Sequence, residues 1–230
     1  MAVNKLPPRR AVAWPEAWRI VPSRFPPRGV FDRVAAPEDL EALFAIESLT
    51  NARLRQELGQ LDLVPRERRV SGPGTQPIMA AFTHLNPDGS RFSDGSYGVF
   101  YAARALDTAV AETMYHRAKF MAATNEPAMK LEMRCYRTAV HGRLHDLRKG
   151  WATMLQPDDY AAPQALAREL RAAGSDGVVY PSVRHAGGEC VGLFFPDLLK
   201  PCVQAQHLIY SWDGRRIQAD YAVATLQTAG

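Results

Sequence analysis

Residues Met129 to Arg137 alternate between apolar Met129, Leu131, Met133 and Cys135 and the more polar Lys130, Glu132, Arg134 and Tyr136, and nothing else in the chain constrains its fold as tightly. A period of two marks a half-buried strand. Such a strand requires sheet neighbours and an apolar layer on its inner face. Val140 to Leu147 predicts another strand, as do Gly98 to Ala103, Gly177 to Pro181, Cys190 to Phe195 and Gln206 to Trp212. Ile78 to His84 is short and apolar and reads as a further strand, ahead of a turn at Asn86-Pro87-Asp88-Gly89. Leu106 to about Met121 is the clearest helix, alanine-rich with Asp107 in its first turn. Asp158 to Ala173 predicts a second, stopped by Gly174.

The first third reads differently. Pro7, Pro8, Pro15, Pro22, Pro26 and Pro27 exclude long helices, so residues 1–30 are expected to form an arm, extended from Ile20 to Pro27. Pro37, Glu38 and Asp39 suit the start of a helix, and Leu40, Leu43, Phe44, Ile46, Leu54 and Leu58 carry helical spacing to Gly59, divisible at Thr50-Asn51. The expected class is α+β: a compact mixed β core with helices and an N-terminal helical extension. Residues 1–64 form the arm and extension packed on the core, and 65–230 the main domain, together one structural unit, as 230 residues favour.

Composition narrows the function classes. Hydrophobic residues are 47% and charged residues 23%, which excludes disordered, collagen-like and coiled-coil chains. No apolar run approaches the ~20 residues of a membrane span. The basic start (Lys5, Arg9, Arg10) leads into Pro15, Glu16 and Arg19 and not an apolar stretch, so no secretory signal is expected. Cys135, Cys190 and Cys202 are odd in number and far apart, pointing to a reducing cytoplasm. A net charge of +4 and a pI near 9.1 favour an anionic ligand without announcing nucleic acid. Arg66, Arg68 and Arg69, interrupted by Glu67, read as a solvated loop. His141 and His145 have no companion at zinc-like spacing, and Gly72-Pro73-Gly74 lacks the strand and third glycine of a dinucleotide fingerprint.

Three polar residues stand where apolar structure is expected. Arg91 lies in the glycine-flanked loop Gly89-Ser90-Arg91-Phe92-Ser93-Asp94-Gly95, Tyr101 near the end of a strand, and Glu112 within the apolar stretch Ala109 to Met114. Strand, turn and helix can fold all three around one cleft. Each also has an ordinary reading: Arg91 as a solvated charge or ion-pair partner, Tyr101 as core or rim, and Glu112 on a wet face with His116 one turn on.

Together these segments resemble a known family. Gly89 to Ala103, Thr108-Ala109-Val110-Ala111-Glu112 and Tyr180-Pro181-Ser182-Val183-Arg184 are similar to the RES domain family, whose name denotes an arginine, a glutamate and a serine; here these fall on Arg91, Glu112 and Ser182. The likeness runs from about Ile20 to Pro201. It implies a fold similar to ADP-ribosyltransferases and the toxin half of a bacterial toxin–antitoxin system. The expected partner is an Xre-type, DNA-binding antitoxin, and the expected activity is degradation of NAD by cleavage of its nicotinamide–ribose bond. NAD is then substrate and no cofactor or metal is called for. Water or inorganic phosphate is the acceptor, neither membrane nor direct nucleic-acid contact is implied, and a homo-oligomer forms in the complex.

On this reading Glu112 stabilises the oxocarbenium-like ribose, Arg91 grips the diphosphate, Tyr101 stacks on nicotinamide and Ser182 hydrogen-bonds phosphate or ribose, unless it is only a turn hydroxyl. Shorter members carry an arginine on the strand before the loop. This chain has Ala80-Ala81-Phe82-Thr83-His84 instead, so His84 is the candidate for that position or a strand-end histidine without a role. Two alternatives remain: ADP-ribosyl transfer to a protein, and a nucleic-acid-binding toxin or regulator without NAD chemistry.

Overall fold

The computed structural model describes residues 6–23, 30–33, 36–38 and 59–220. Seven strands form one sheet in the order β1 (Arg9–Pro22), β2 (Phe100–Ala103), β5 (Glu189–Leu193), β4 (Gly177–Pro181), β3 (Met129–Asp146), β6 (Val203–Trp212), β7 (Ile217–Asp220). β1 also pairs with β3 along most of its length and meets β2 at Trp18 and Ala103, so the first five strands of that order close into a ring. β3 and β4 run parallel, joined by a crossover containing helix α4 (Ala161–Ala172). Among the described residues the other α-helices are the single turn α1 (Val30–Arg33), α2 (Gln76–Thr83) and α3 (Leu106–Ala123). The expected α+β class is observed.

Both sheet faces are covered. Phe100, Ala102, Val140, Leu144, Val179 and Val191 meet Phe31, Leu61, Ile78, Met79 and Phe82 on one side. Val178, Tyr180, Cys190, Met133 and Cys135 meet Phe92, Ala109, Val110, Leu166, Ala167 and Leu170 on the other. A strand covered on both faces is apolar at consecutive positions, which is why Val178, Val179 and Tyr180 are all buried.

Three expectations require correction. The arm does more than pack on the core: Arg9–Pro22 is a strand of the sheet, and Pro15 falls at the register irregularity between Trp14 and Ala17, where a bulge tolerates a residue without an N–H. The strand expected at Ile78–His84 is helix α2. Pro77 sits in its first turn, where the missing donor costs nothing, and Ile78, Met79 and Phe82 share one helical face in the core. The strands expected at 129–137 and 140–147 are one, because β3 continues while its partner on one edge changes from β6 to β4. The helical pattern at 40–58 lies outside the described residues.

The arginine cluster is also tied into the structure. Arg68 bridges Asp176 and Asp197 at 3.0 and 2.6 Å and lies over the Phe195 ring. Arg69 is buried and donates to the carbonyls of Val64 and Leu61. All three cysteines are buried free thiols, and burial pushes Cys135 and Cys202 up to about 12. Among the described residues no helix is long and apolar enough to cross a membrane.

His145, at the C-terminal end of β3, staples the N-terminal segment and is 4% exposed. Its Nδ1 faces the Pro7 carbonyl at 2.5 Å and its Nε2 accepts from Arg9 Nε at 3.1 Å, an arrangement that fits the neutral ring. Burial, helped by Arg9 and opposed by the Pro7 hydrogen bond, lowers its pKa. The unfolded chain therefore takes up this proton first. The site's stabilisation is complete above about pH 6.5 and declines as pH falls towards the lower folded-state value. Urea midpoints measured from pH 7.5 to 5 should fall more steeply in the wild type than in His145→Gln; parallel curves would contradict this.

Candidate functional site

The loop after α2 leads into β2 and is fixed on both sides of Arg91. Gln164 on α4 donates to the Ser90 and Ser93 carbonyls, and Arg168 pairs with Asp94 at 3.0 Å. The Tyr101 hydroxyl accepts the Phe92 N–H at 2.9 Å and bonds Ser90 Oγ at 2.8 Å. Its ring stacks on Phe92, and burial drives its pKa well up. Tyr101 therefore holds the loop that aims Arg91, and its hydroxyl is fully engaged. Gly192 makes room for this packing, since a Cβ there would press on both the Phe92 and Tyr101 rings at 3.3 Å.

Arg91 is 8% exposed. It is neither solvated nor bound to a carboxylate through these contacts. Its guanidinium donates to the carbonyls of Met154 (3.2 Å), Gln156 (2.8 Å) and Pro157 (3.4 Å), and lies over Tyr160.

Glu112, on α3, is reached by the turn that follows β4. Ser182 Oγ donates to Glu112 Oε1 at 2.6 Å, and the Val183 N–H donates to the same oxygen at 3.2 Å. Ser182 Oγ also accepts the N–H groups of Arg184 and His185. Its single proton is directed to the carboxylate, so in this arrangement it positions Glu112 and does not donate to a phosphate. Glu112 Oε2 stands 4.0 Å from His116 Nε2, with 21% of the glutamate side chain exposed.

The turn lies tight against α3. His185 Nδ1 meets Thr108 Oγ1 at 2.9 Å, and a Cβ on Gly188 would stand 2.6 Å from that oxygen and 2.7 Å from Thr108 Cγ2. Gly188→Ala should force the turn outwards and cost about 1–3 kcal/mol of stability, read in urea unfolding. An unchanged midpoint would show that the turn adjusts freely.

Tyr180 is buried, and burial raises its pKa; Cys190, Glu112 and Tyr101 push the same way and Arg91 opposes them. His116 is lowered first by burial; Glu112 opposes this, while Arg184, Arg91 and Lys119 reinforce it. His84 belongs to a different setting. It caps the C-terminus of α2, exposed, with Nδ1 at 3.1 Å from Thr83 Oγ1, and α2 packs into the core on the other sheet face. The strand that would have placed it as an arginine replacement is a helix.

Several residues here were not singled out from sequence. Arg184 lies 3.3 Å from the Tyr115 ring centre, and the Tyr115 hydroxyl donates to Asp158. The available signal was the spacing of Thr108, Glu112, Tyr115 and Lys119, four, three and four residues apart, which marks one helical face. Among the described residues no group of three His, Cys, Asp or Glu side chains is arranged to hold a metal.

Comparison with known proteins is decisive for the family. The RES domain pattern matches residues 66–213, more than half of the chain. The chain belongs to the RES domain family. A protein of Sinorhizobium fredii (strain NBRC 101917 / NGR234), named "Uncharacterized protein y4oC", is 34% identical over 214 residues, covering 90% of this RES chain and 87% of that protein. A chain in the crystal structure of the M. tuberculosis MbcT–MbcA toxin–antitoxin complex is 17% identical with a TM-score of 0.40, covering 56% of the RES chain and 74% of its own length. β1 lies before the matched region yet pairs along β3, within it.

Proposed function

We propose that this chain is the toxin of a toxin–antitoxin pair and destroys NAD by cleaving the bond between nicotinamide and ribose. Membership of the RES domain family, with its resemblance to ADP-ribosyltransferases, supports this reading. The observation that carries the chemistry is the held carboxylate: Glu112 has one oxygen fixed by Ser182 and Val183 and the other beside His116 in a partly exposed position.

As the C–N bond breaks, its electron pair goes to the nicotinamide nitrogen, which loses its positive charge. The charge reappears on the ribose C1 and ring oxygen, where a preorganised carboxylate stabilises it. An acceptor oxygen then bonds to C1 and gives up its proton. Water yields ADP-ribose and inorganic phosphate yields its 1-phosphate. Arg91, its guanidinium held by the 154–157 carbonyls, supplies positive charge beside the diphosphate, and Tyr101 and Ser182 act by holding Arg91 and Glu112 in place. The partner on this reading is an Xre-type antitoxin, met in the cytoplasm, with the toxin as a homo-oligomer in the complex.

The test is incubation of purified chain with NAD, with and without inorganic phosphate, followed by product identification. Free nicotinamide with ADP-ribose or its 1-phosphate is the expected result. Label transferred to a protein would indicate a transferase instead, and no nicotinamide release would remove the reading.

A further inference from the structure

Arg184 donates through Nη2 to the Pro157 carbonyl, and Arg91 Nη2 reaches the same oxygen at 3.4 Å. Two guanidinium groups from distant segments thus share one neutral acceptor, a crowding of like charge that favours an anion nearby. The neighbouring carboxylate is Asp158, which accepts the Tyr115 hydroxyl and stands 3.6 Å from Lys119 Nζ and 3.8 Å from Arg184 Nη2. Its side chain is 64% exposed, between the turn Ala152–Leu155 and the start of α4. By contrast, only 13% of the Arg184 side chain is exposed. Arg184 is held in place, whereas the anion beside it is carried by a surface connection.

We propose that Tyr115, Lys119 and Arg184, with Arg91 beside them, form a phosphate-binding subsite whose place is held in this structure by the chain's own Asp158 carboxylate. The identity of its substrate rests on the NAD reading above. A phosphoryl group offers three acceptor oxygens and more charge than a carboxylate. It meets the Arg184 guanidinium and the Lys119 ammonium together, with the Arg91 charge nearby, while Tyr115 retains a partner. Asp158, displaced, returns to water. The phosphate belongs either to the dinucleotide's diphosphate or to free inorganic phosphate serving as acceptor.

The test is titration of the full chain with inorganic phosphate alone and, separately, with ADP, in the wild type and in Asp158→Asn. Removing the competing charge should tighten binding by about three- to tenfold, and Lys119→Gln, exposed and tolerant of change, should weaken it. Tightening of ADP alone assigns the subsite to the diphosphate, and tightening of inorganic phosphate assigns it to the acceptor. Equal or weaker binding of both probes in Asp158→Asn, with its melting temperature unchanged, overturns the proposal. Nicotinamide release on the same preparations separates this from the NAD reading. Tightened binding without release leaves the subsite standing and removes the activity; release with unaltered affinities does the reverse.

Discussion

Glu112→Gln is expected to lower the rate of nicotinamide release at least about 100-fold while leaving the fold intact. The amide oxygen can still accept the Ser182 hydroxyl and the Val183 N–H that now bind Oε1. The variant lacks only the negative charge and the acceptor at Oε2. Because that charge matters most as the ribose becomes cationic, kcat should fall far more than KM changes. Stability should stay within about 0.5 kcal/mol of wild type. Retained activity would show that Glu112 is not the stabilising charge. Unfolding would show that its hydrogen bonds depend on the anion.

Arg91→Ala is expected to act on binding and stability together. The guanidinium donates to three carbonyls of the 154–157 segment from a position only 8% exposed. Its removal strands those acceptors, costing about 2 kcal/mol and lowering the melting temperature by roughly 5 °C. Loss of its positive charge beside the diphosphate, and of the 154–157 segment it holds, should raise KM for NAD at least about tenfold. Arg91→Lys should restore part of the affinity through charge alone but lose the fork geometry. An unchanged KM in Arg91→Ala, with the fold intact, would place the diphosphate elsewhere.

Local pattern revealed much of this fold, and the failures share a cause. The alternation at 129–137, the helix at Leu106 and the apolar run at Gly177 each follow from nearby residues and were legible. β1 was hidden because Pro15 reads as a breaker unless one knows that it falls at a bulge against β3. α2 was misread because a run of five apolar residues, Ile78 to Phe82, serves a buried strand or a short buried helix equally well, and tertiary packing decides between them.

The candidate site divides the same way. Arg91 and Glu112 were visible as unusual residues and, with Ser182, as the family's signature. That Ser182 serves Glu112 was not, since it depends on a contact between residues 70 positions apart. Nor was the engagement of Tyr101 by the Arg91 loop, or the meeting of Arg184 and Arg91 at one carbonyl oxygen. Arg68 and Arg69 looked like a solvated patch for the same reason, because their partners Asp176, Asp197 and the Val64 carbonyl become neighbours only on folding. Arg68 and Arg69, being internally bound, offer little to a nucleic-acid ligand.

The most direct measurement is a crystal structure of Glu112→Gln soaked with NAD, the slowed variant preserving the substrate. The account predicts the nicotinamide-bearing ribose against residue 112 and the diphosphate on Arg91. A dinucleotide bound away from both residues, or a site that stays empty at saturating NAD, would contradict it.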